Sequence, residues 1–258
     1  MVEFITGLII LFILYRLPRV FRSKRYRKRP YFPKINRTRL PKLFPSKKYT
    51  KRPYFRKIKK TYSSNEIGEI GETLVLKELK SFEKQSGRLL SNLYIPKPND
   101  ETTEIDVVLI HPRGFFVIES KNYSGWIFGN ERNQYWTQTL PIGQGDEKSN
   151  KERFYNPLRQ NGSHIKHLKR VLSDRVPMWS VIVFSDECTL KDVTVSQNKR
   201  DKVIQLHNLK SLVFQLIKET DEELFSESDI QWMYDELFPF TQVDEETKRR
   251  HIDFNSTT

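Results

Sequence analysis

Three charged side chains lie within two strongly apolar runs of the sequence. Asp106 belongs to the run Glu104–Ile110, and Glu119 and Lys121 lie at the end of the run Gly114–Lys121. Alternation along a β-strand puts Glu119 and Lys121 on the same face. Paired carboxylates can bind a divalent cation, and a lysine beside them can stabilise the charge that grows on a phosphoryl group. These residue types therefore suit metal-assisted phosphodiester hydrolysis.

The position of Asp106 relative to Glu119 depends on a predicted hairpin. A turn at His111–Gly114 joins the two runs, and a hairpin symmetric about that turn pairs Asp106 with Glu119. Their Cβ atoms would be about 4.5–5.5 Å apart, whereas a slip of one residue would turn one carboxylate to the other face. Oxygen ligands favour Mg²⁺ or Mn²⁺. A purely structural cluster of lysine and carboxylates at a sheet edge is the alternative interpretation.

The flanking sequence predicts an α/β fold with one mixed sheet flanked by helices. Helices are predicted at Glu66–Phe82 with Asn65 as the cap, at Pro157–Leu172 with Asn156 as the cap, at Leu209–Lys218 and at Glu227–Leu237. Further strands are predicted at Leu89–Ile95, Trp126–Gly129, Gln134–Leu140, Val181–Phe184 and Val203–Leu206. The polar stretch Gly143–Phe154 predicts a loop. Gly68 and Gly71 predict close packing of the first helix, and Trp126, Trp136 and Trp179 are expected in the core.

Several spaced motifs resemble the NERD family, the nuclease-related domain, over roughly Glu66–Phe184. They are Gly68–Glu72 (GEIGE), Glu104–Asp106 (EID), Arg113–Gly125 (RGFFVIESKNYSG), Trp136 and Asn156–Asn161 (NPLRQN). The resemblance implies a restriction-endonuclease-like core of the PD-(D/E)XK type. The chain departs from that pattern at Ile105, which stands where the pattern has a proline.

The resemblance also implies a role for each matching residue. Asp106, Glu119 and Glu72 are the expected ligands of Mg²⁺ or Mn²⁺, and Lys121 is the expected catalytic lysine. Gln160 is expected to orient substrate or water from the second helix. A zinc site is not expected, because Cys188 is the single cysteine and no acidic partner for the histidines is evident from the sequence.

The charge of the chain is unevenly distributed. Residues Arg16–Thr61 contain 20 Lys or Arg and no Asp or Glu, whereas residues from Tyr62 onward contain 25 basic and 31 acidic residues, a net charge of −6. The basic segment contains a repeat, Ser23–Thr38 and Ser46–Thr61, with five prolines between Ser23 and Thr61, which predict an extended or disordered arm. Its cations suit anionic lipid headgroups first, and its interleaved aromatic residues suit nucleic acid as a further partner.

The run Phe4–Leu14 is almost wholly apolar and can be extended to Val2–Leu17. It is shorter than the about 20 residues of a usual transmembrane helix, and Tyr15 and Arg16 could lengthen it in the interface. No basic residue precedes it and no small-residue cleavage site follows, which disfavours a signal peptide. We therefore expect a single-pass anchor in the cell membrane, with the positive arm and the domain on the cytoplasmic side.

These observations predict four parts: an anchor at 1–17, a basic linker at 18–62, a NERD-like nuclease domain at 63–185 and a C-terminal α/β extension at 186–258 that packs on the same domain. The predicted function is a membrane-anchored, metal-dependent nuclease that hydrolyses phosphodiester bonds of DNA, with RNA as the less favoured substrate. A non-catalytic membrane-bound module that binds nucleic acid or protein is the alternative. The sequence leaves the oligomeric state open.

Overall fold

The structure, a computed structural model, describes residues 63–98, 101–141, 149–196, 200–244 and 246–248. The predicted anchor and basic linker lie outside these residues, and none of the helices within them is long and apolar enough to span a membrane. In chain order the elements are α1 (Ser64–Glu83), β1 (Arg88–Pro96), β2 (Thr102–His111), β3 (Gly114–Lys121), β4 (Gly125–Asn130), β5 (Tyr135–Pro141), β6 (Ser149–Tyr155), α2 (Pro157–Val171), β7 (Met178–Phe184), β8 (Cys188–Thr194), β9 (Asp201–Gln205), α3 (Leu209–Glu219) and α4 (Glu227–Leu237).

The first sheet has five strands in the order β1-β2-β3-β7-β9. β1, β2 and β3 are antiparallel, and β3, β7 and β9 are parallel. Side chains of α1 and α3 pack on one face, with Val75, Phe82, Phe116 and Val213 in that core. Side chains of α2 and α4 pack on the other face, with Val117, Leu168 and Ile230 among them. The central strands are apolar on both sides because helices cover both faces of the sheet.

A second sheet of four strands, in the order β6-β5-β4-β8, corrects the prediction of a single sheet. Its inner face carries Ile127 and Trp136, which pack against Ile182 and Phe184 of β7. The prediction of a loop over Gly143–Phe154 is wrong for the strand β6, and β8 was not predicted. Both are edge strands, where one row of backbone groups faces solvent and charged side chains are common, so their hydrophobic signal is weak.

The two sheets are joined through their parallel strand pairs, β3–β7 in the first sheet and β4–β8 in the second. β3 continues into β4 through residues 122–124, and β7 continues into β8 through residues 185–187. The two short connections are held together, because the Ser185 amide donates to Lys121 O at 3.0 Å and the Ser185 hydroxyl donates to Tyr123 O at 2.6 Å. The Gly125 amide donates to Glu187 O at 3.3 Å. We call this junction the seam.

The first helix begins two residues earlier than predicted, at Ser64. Ser63 is the N-cap, and its side chain and that of Glu66 form a reciprocal capping box, so Asn65 lies inside the helix rather than at its cap. The prediction for Asn156 is confirmed, because its side chain accepts from Leu158 N at 2.9 Å and Pro157 follows in the first turn. Trp136 is buried as predicted, whereas Trp126 and Trp179 are partly exposed.

Candidate active site

Asp106 lies where the regular pairing of β2 with β3 ends. The ladder runs from His111↔Gly114 to Val107↔Ile118, which is the predicted register. One step further the register brings Asp106 to Glu119, but no backbone pair forms there. Instead the Ser120 amide donates to Asp106 Oδ2 at 2.7 Å. The side chain of Asp106 therefore accepts a hydrogen bond from β3 at the point where the two backbones separate.

The pairing of β2 with β1, on the other side of Asp106, is also irregular. β1 pairs with β2 on both sides of Asn92, at Ser91↔Val107 and Leu93↔Ile105, while Asn92 itself has a φ of +54° and leaves the ladder. Asparagine tolerates this left-handed conformation better than most residues. Asp106 thus lies between two local interruptions of the sheet, a kind of backbone irregularity that is common at functional sites.

Lys121 connects β3 with α2. Its amine donates to Glu119 Oε1 at 2.7 Å and to Gln160 Oε1 at 3.1 Å. The first contact follows from strand alternation, and the second is possible because Gln160 lies in the first turn of α2 beside the carboxyl end of β3. The Gln160 amide oxygen therefore fixes the lysine, a role that sequence reasoning did not assign to it.

His164 is the residue that sequence reasoning missed. It is 4% exposed, and its Nε2 lies 3.1 Å from Glu119 Oε2 while its Nδ1 lies 2.8 Å from Thr103 Oγ1. The histidine had no evident acidic partner in the sequence, yet the fold supplies Glu119. A signal was present: His164 follows Gln160 by four residues and shares its helix face. Both Glu119 oxygens are hence hydrogen-bonded by side chains that α2 and β3 position.

Glu72 approaches the site from α1, on the other face of the sheet. α1 lies close to β3 because Gly71 has no side chain: a Cβ there would be 2.8 Å from Asn122 Cβ and 2.9 Å from Ser120 Oγ. The Asn122 amide group donates to Ile67 O at 2.6 Å and fixes this contact. The predicted close packing is confirmed at Gly71 and wrong at Gly68, where a Cβ would meet nothing within 4 Å.

The carboxylates differ strongly in their affinity for protons. Burial opposes ionisation of Glu119, but the Lys121 charge and the His164 hydrogen bond outweigh it and lower the Glu119 pKa to about 2. Burial and then the Glu119 charge raise the Asp106 pKa well above its usual range. Burial, together with Glu104, Glu69 and Glu119, raises the Glu72 pKa to about 7. Although burial favours the neutral amine, Glu119 raises the Lys121 pKa.

Burial first, and the neighbouring carboxyl groups second, raise the pKa of Asp106 and Glu72, while Lys121 lowers the pKa of both. Asp106 Oδ2 accepts from Ser120, while Glu104, at the rim, accepts from the Tyr94 hydroxyl at 2.7 Å. Among the described residues, no three His, Cys, Asp or Glu side chains are arranged to ligate one metal ion. Asp106 and Glu119 are the carboxylates available to a cation at the centre of the site, and Glu72 belongs to α1, which packs on the face of the sheet opposite to α2.

A family model described as NERD, the nuclease-related domain, matches residues 67–185. The chain is also 30% identical over 187 residues to an uncharacterised protein of Bacillus anthracis, with 72% of this chain and 82% of that protein covered. The chain belongs to the NERD family. No solved structure matched in the comparison.

The match to NERD covers α1 through β7 and so includes every predicted site residue. It makes the domain nuclease-related and agrees with a mixed α/β core flanked by helices. β8 and β9 follow the matched region, yet they pair with β4 and β7 and complete the two sheets. Hydrogen bonds join Glu119, Lys121 and Gln160 directly, whereas Asp106 accepts from the Ser120 amide between them. Asp106 and Glu72 are linked to this cluster by electrostatic interaction.

Proposed function

We propose that this NERD protein is a metal-dependent endonuclease of the PD-(D/E)XK type that hydrolyses phosphodiester bonds in DNA. The observation that carries the proposal is the Lys121 amine, which Glu119 and Gln160 fix from two elements beside Asp106. An amine that is held in place and kept protonated can stabilise the charge that develops on a phosphoryl oxygen without reorganising during the reaction.

Three carboxyl groups that influence one another beside a single lysine support a divalent cation at this site. Asp106 and Glu119 would hold Mg²⁺ or Mn²⁺, with Glu72 as a further acidic group. Mg²⁺ commonly takes only one or two protein carboxylates, and waters and substrate phosphates complete its shell, so two carboxylates suffice. When bound, the cation supplies positive charge for the phosphodiester and activates water. It would also lower the pKa of Asp106, because a nearby cation favours the ionised form.

The chain's own residues then have separate tasks. Glu119 holds Lys121 in position, and His164 and Gln160 fix these two side chains in turn. The Ser120 amide orients the Asp106 carboxylate. Lys121 is the group that would contact the scissile phosphate. Water attacks phosphorus, and the bond to the leaving sugar oxygen breaks.

Cleavage by the purified chain tests this proposal. Plasmid and single-stranded circular DNA are incubated with Mg²⁺, with Mn²⁺ and with chelator, using the wild type, Asp106→Ala and the control Asp235→Ala on the exposed side of α4. We expect metal-dependent cleavage by the wild type and the control, and none by Asp106→Ala. Identical behaviour of the wild type and Asp106→Ala across metals and substrates would overturn the proposal.

The proposal includes a membrane location. The apolar run Phe4–Leu14 would anchor the chain, residues 18–62 would contact anionic lipid, and the domain would face the cytoplasm. In membrane fractions we expect the full chain to resist extraction by high salt and alkaline carbonate, and a chain lacking residues 1–17 to be released by salt. Release of the full chain by salt alone would contradict an anchor and leave only electrostatic adhesion.

A second candidate is a module of the same fold that binds nucleic acid or a protein partner without cutting. The observation that favours it is that both Glu119 oxygens already have partners, Lys121 and His164, so this carboxylate is satisfied without a metal. DNA that is bound but intact in every metal condition would support this function. Binding by the full chain should then depend steeply on salt concentration. If deletion of residues 16–61 abolishes that binding, its affinity is assigned to the arm.

A further inference from the structure

The outer face of the second sheet carries aromatic and cationic side chains. Alternation along β5 and β6 puts Trp136 and Phe154 on the inner face and Tyr135, Arg153 and Tyr155 on the outer face. Tyr135 and Tyr155 form a direct cross-strand pair with ring centroids 6.1 Å apart. They are 42% and 44% exposed, among the most exposed large aromatic residues of the described part of the chain.

Cations accompany the aromatic rings on this face. The Arg153 guanidinium lies 4.8 Å from the ring centroid of Tyr135. On the neighbouring strand β4, the ring centroid of Trp126 lies 5.6 Å from the Lys191 amine. Lys151 is exposed on the same side of β6. We call Trp126, Tyr135, Lys151, Arg153 and Tyr155 the outer platform. The guanidinium covers one face of the Tyr135 ring, so a base would contact the exposed part of the ring while the cation contacts a phosphate.

The charge of the platform differs from that of the rest of the domain. From residue 62 onward the chain has a net charge of −6. In contrast, the outer sides of β5 and β6 carry Lys151 and Arg153 and no Asp or Glu among the side chains that the structure describes, and Asp192 lies two strands away on β8. The platform is therefore a basic, aromatic surface on an acidic domain, which is complementary to a polyanion with planar bases.

The chain leads directly from the platform to the candidate active site. β6 ends at Tyr155, α2 begins at Pro157, and Gln160 in its first turn contacts Lys121. Gln160 follows Tyr155 by five positions, so their Cα atoms are within about 18 Å of each other.

We propose that the outer platform binds single-stranded nucleic acid, with bases stacked on Tyr135 and Tyr155 and phosphates contacting Arg153 and Lys151. A single strand is the fitting ligand because its unstacked bases can reach aromatic rings, whereas a duplex keeps its bases inside. Only the purpose of the platform, which is to hold the strand that the site would cut, depends on the proposed nuclease function. Its binding activity is independent of cleavage.

Fluorescence anisotropy of the full chain with metal chelated tests the proposal without cleavage. The probes are a labelled oligothymidylate and a duplex of equal length, and the measured quantity is the ratio of their Kd values. The basic arm is present in every variant, so the change in this ratio between wild type and variant isolates the platform. We expect a preference for the single strand that Tyr135→Ala/Tyr155→Ala reduces at least about tenfold. Tyr135→Phe/Tyr155→Phe, which keeps both rings, should retain it.

The cations are tested by salt dependence. Lys151→Gln/Arg153→Gln should reduce the slope of log K against log salt for the oligothymidylate by roughly 1.4. Lys210→Gln/Lys218→Gln, exposed on α3, removes equal charge elsewhere and should change the slope far less. Circular dichroism melts verify that each variant folds.

Several results would overturn the platform. One is an unchanged single-strand preference in folded Tyr135→Ala/Tyr155→Ala, and another is the absence of any preference in the wild type. A third is an equal change of the salt slope in Lys151→Gln/Arg153→Gln and in Lys210→Gln/Lys218→Gln. If Tyr135→Ala/Tyr155→Ala weakens binding to anionic lipid vesicles and leaves binding to oligothymidylate unchanged, the surface is assigned to membranes. If the chain never cuts DNA but these binding results hold, the proposed nuclease fails and the platform stands.

Discussion

Glu119 is the side chain on which the contacts of the site converge. Lys121 and His164 each contact one of its oxygens, and the site places these partners on two different elements. A buried carboxylate is costly unless it is paired and hydrogen-bonded, so removing one partner leaves a charge poorly satisfied. The consequence is that side chains from two elements, β3 and α2, determine how Glu119 is oriented.

His164 is predicted to be a positioning residue for metal binding. His164→Ala removes the contact to Glu119 Oε2, and partners of this kind change metal affinity or activity by about 10–100-fold. Isothermal titration with Mn²⁺ in the absence of DNA should show this loss, and His164→Gln, which can still donate to Glu119, should recover part of it. His167→Ala, on the same helix, is the control. Equal metal affinity in His164→Ala and wild type would contradict this role.

Glu72 should make the stability of the metal-free protein depend on pH. Its pKa is about 7 in the folded chain, above its ordinary value of 4.5. Between these values the folded state binds more protons than the unfolded state, so Glu72 lowers stability as pH rises through this window. Glu72→Gln should therefore have a Tm a few degrees above wild type at pH 8, with the difference vanishing near pH 4.

Thermal melts across this pH range provide the measurement for Glu72. Glu83→Gln, exposed at the end of the same helix, is the control and should follow the wild type at every pH. A Glu72→Gln variant that melts parallel to the wild type from pH 4 to pH 8 would contradict a raised pKa for Glu72.

The approach of α1 to β3 is an element-scale feature that depends on one glycine. Gly71→Ala would force a Cβ against Asn122 and Ser120, the residues that follow Glu119, and should cost about 1–3 kcal/mol of stability. Because α1 must move, we also expect slower DNA cleavage. Gly68→Ala meets open space three residues earlier and should stabilise the helix by roughly 0.5–1 kcal/mol. Urea unfolding of both variants gives the comparison.

Opposite effects of the two glycine variants are the distinguishing result. If Gly71→Ala is as stable and active as Gly68→Ala, then α1 has room to move and the close approach to β3 has no role in the site. Loss of stability without loss of cleavage would separate the packing of α1 from the position of Glu72.

Strong local patterns made the central elements predictable. The apolar runs around Asp106 and Glu119, with a proline-glycine turn between them, fixed the register of β2 with β3, and the observed ladder is the predicted one. The edge strands β6 and β8 were not predictable, since Lys151–Arg153 resembles a polar loop until a neighbouring strand pairs with it. His164 was missed for a related reason: its acidic partner is 45 residues away in sequence.

At the scale of the whole molecule, charge and architecture are divided among different parts. The 20 basic residues of Arg16–Thr61 precede an acidic domain, so the positive net charge of the chain says little about the surface of the fold. Within the domain the two sheets share the seam, where the parallel pair β3–β7 continues as the pair β4–β8. The sequence could not reveal this division into two sheets, because it arises from pairing between strands that are distant in the chain.

The seam should make the two sheets unfold as one unit. Four tryptophans permit a direct test, because Trp136 is buried in the second sheet and Trp179 lies on β7 of the first. Two single-tryptophan variants, each with the other three changed to Phe, should report the same Tm and the same unfolding enthalpy. Ser185→Ala removes the hydroxyl contact to Tyr123 O and should lower the free energy of unfolding by about 1–3 kcal/mol. Both Tm values should therefore fall by the same amount. If the fluorescence of Trp136 reports a lower Tm than that of Trp179, the second sheet is a separate folding unit. The candidate site would then retain its geometry after the outer platform has unfolded.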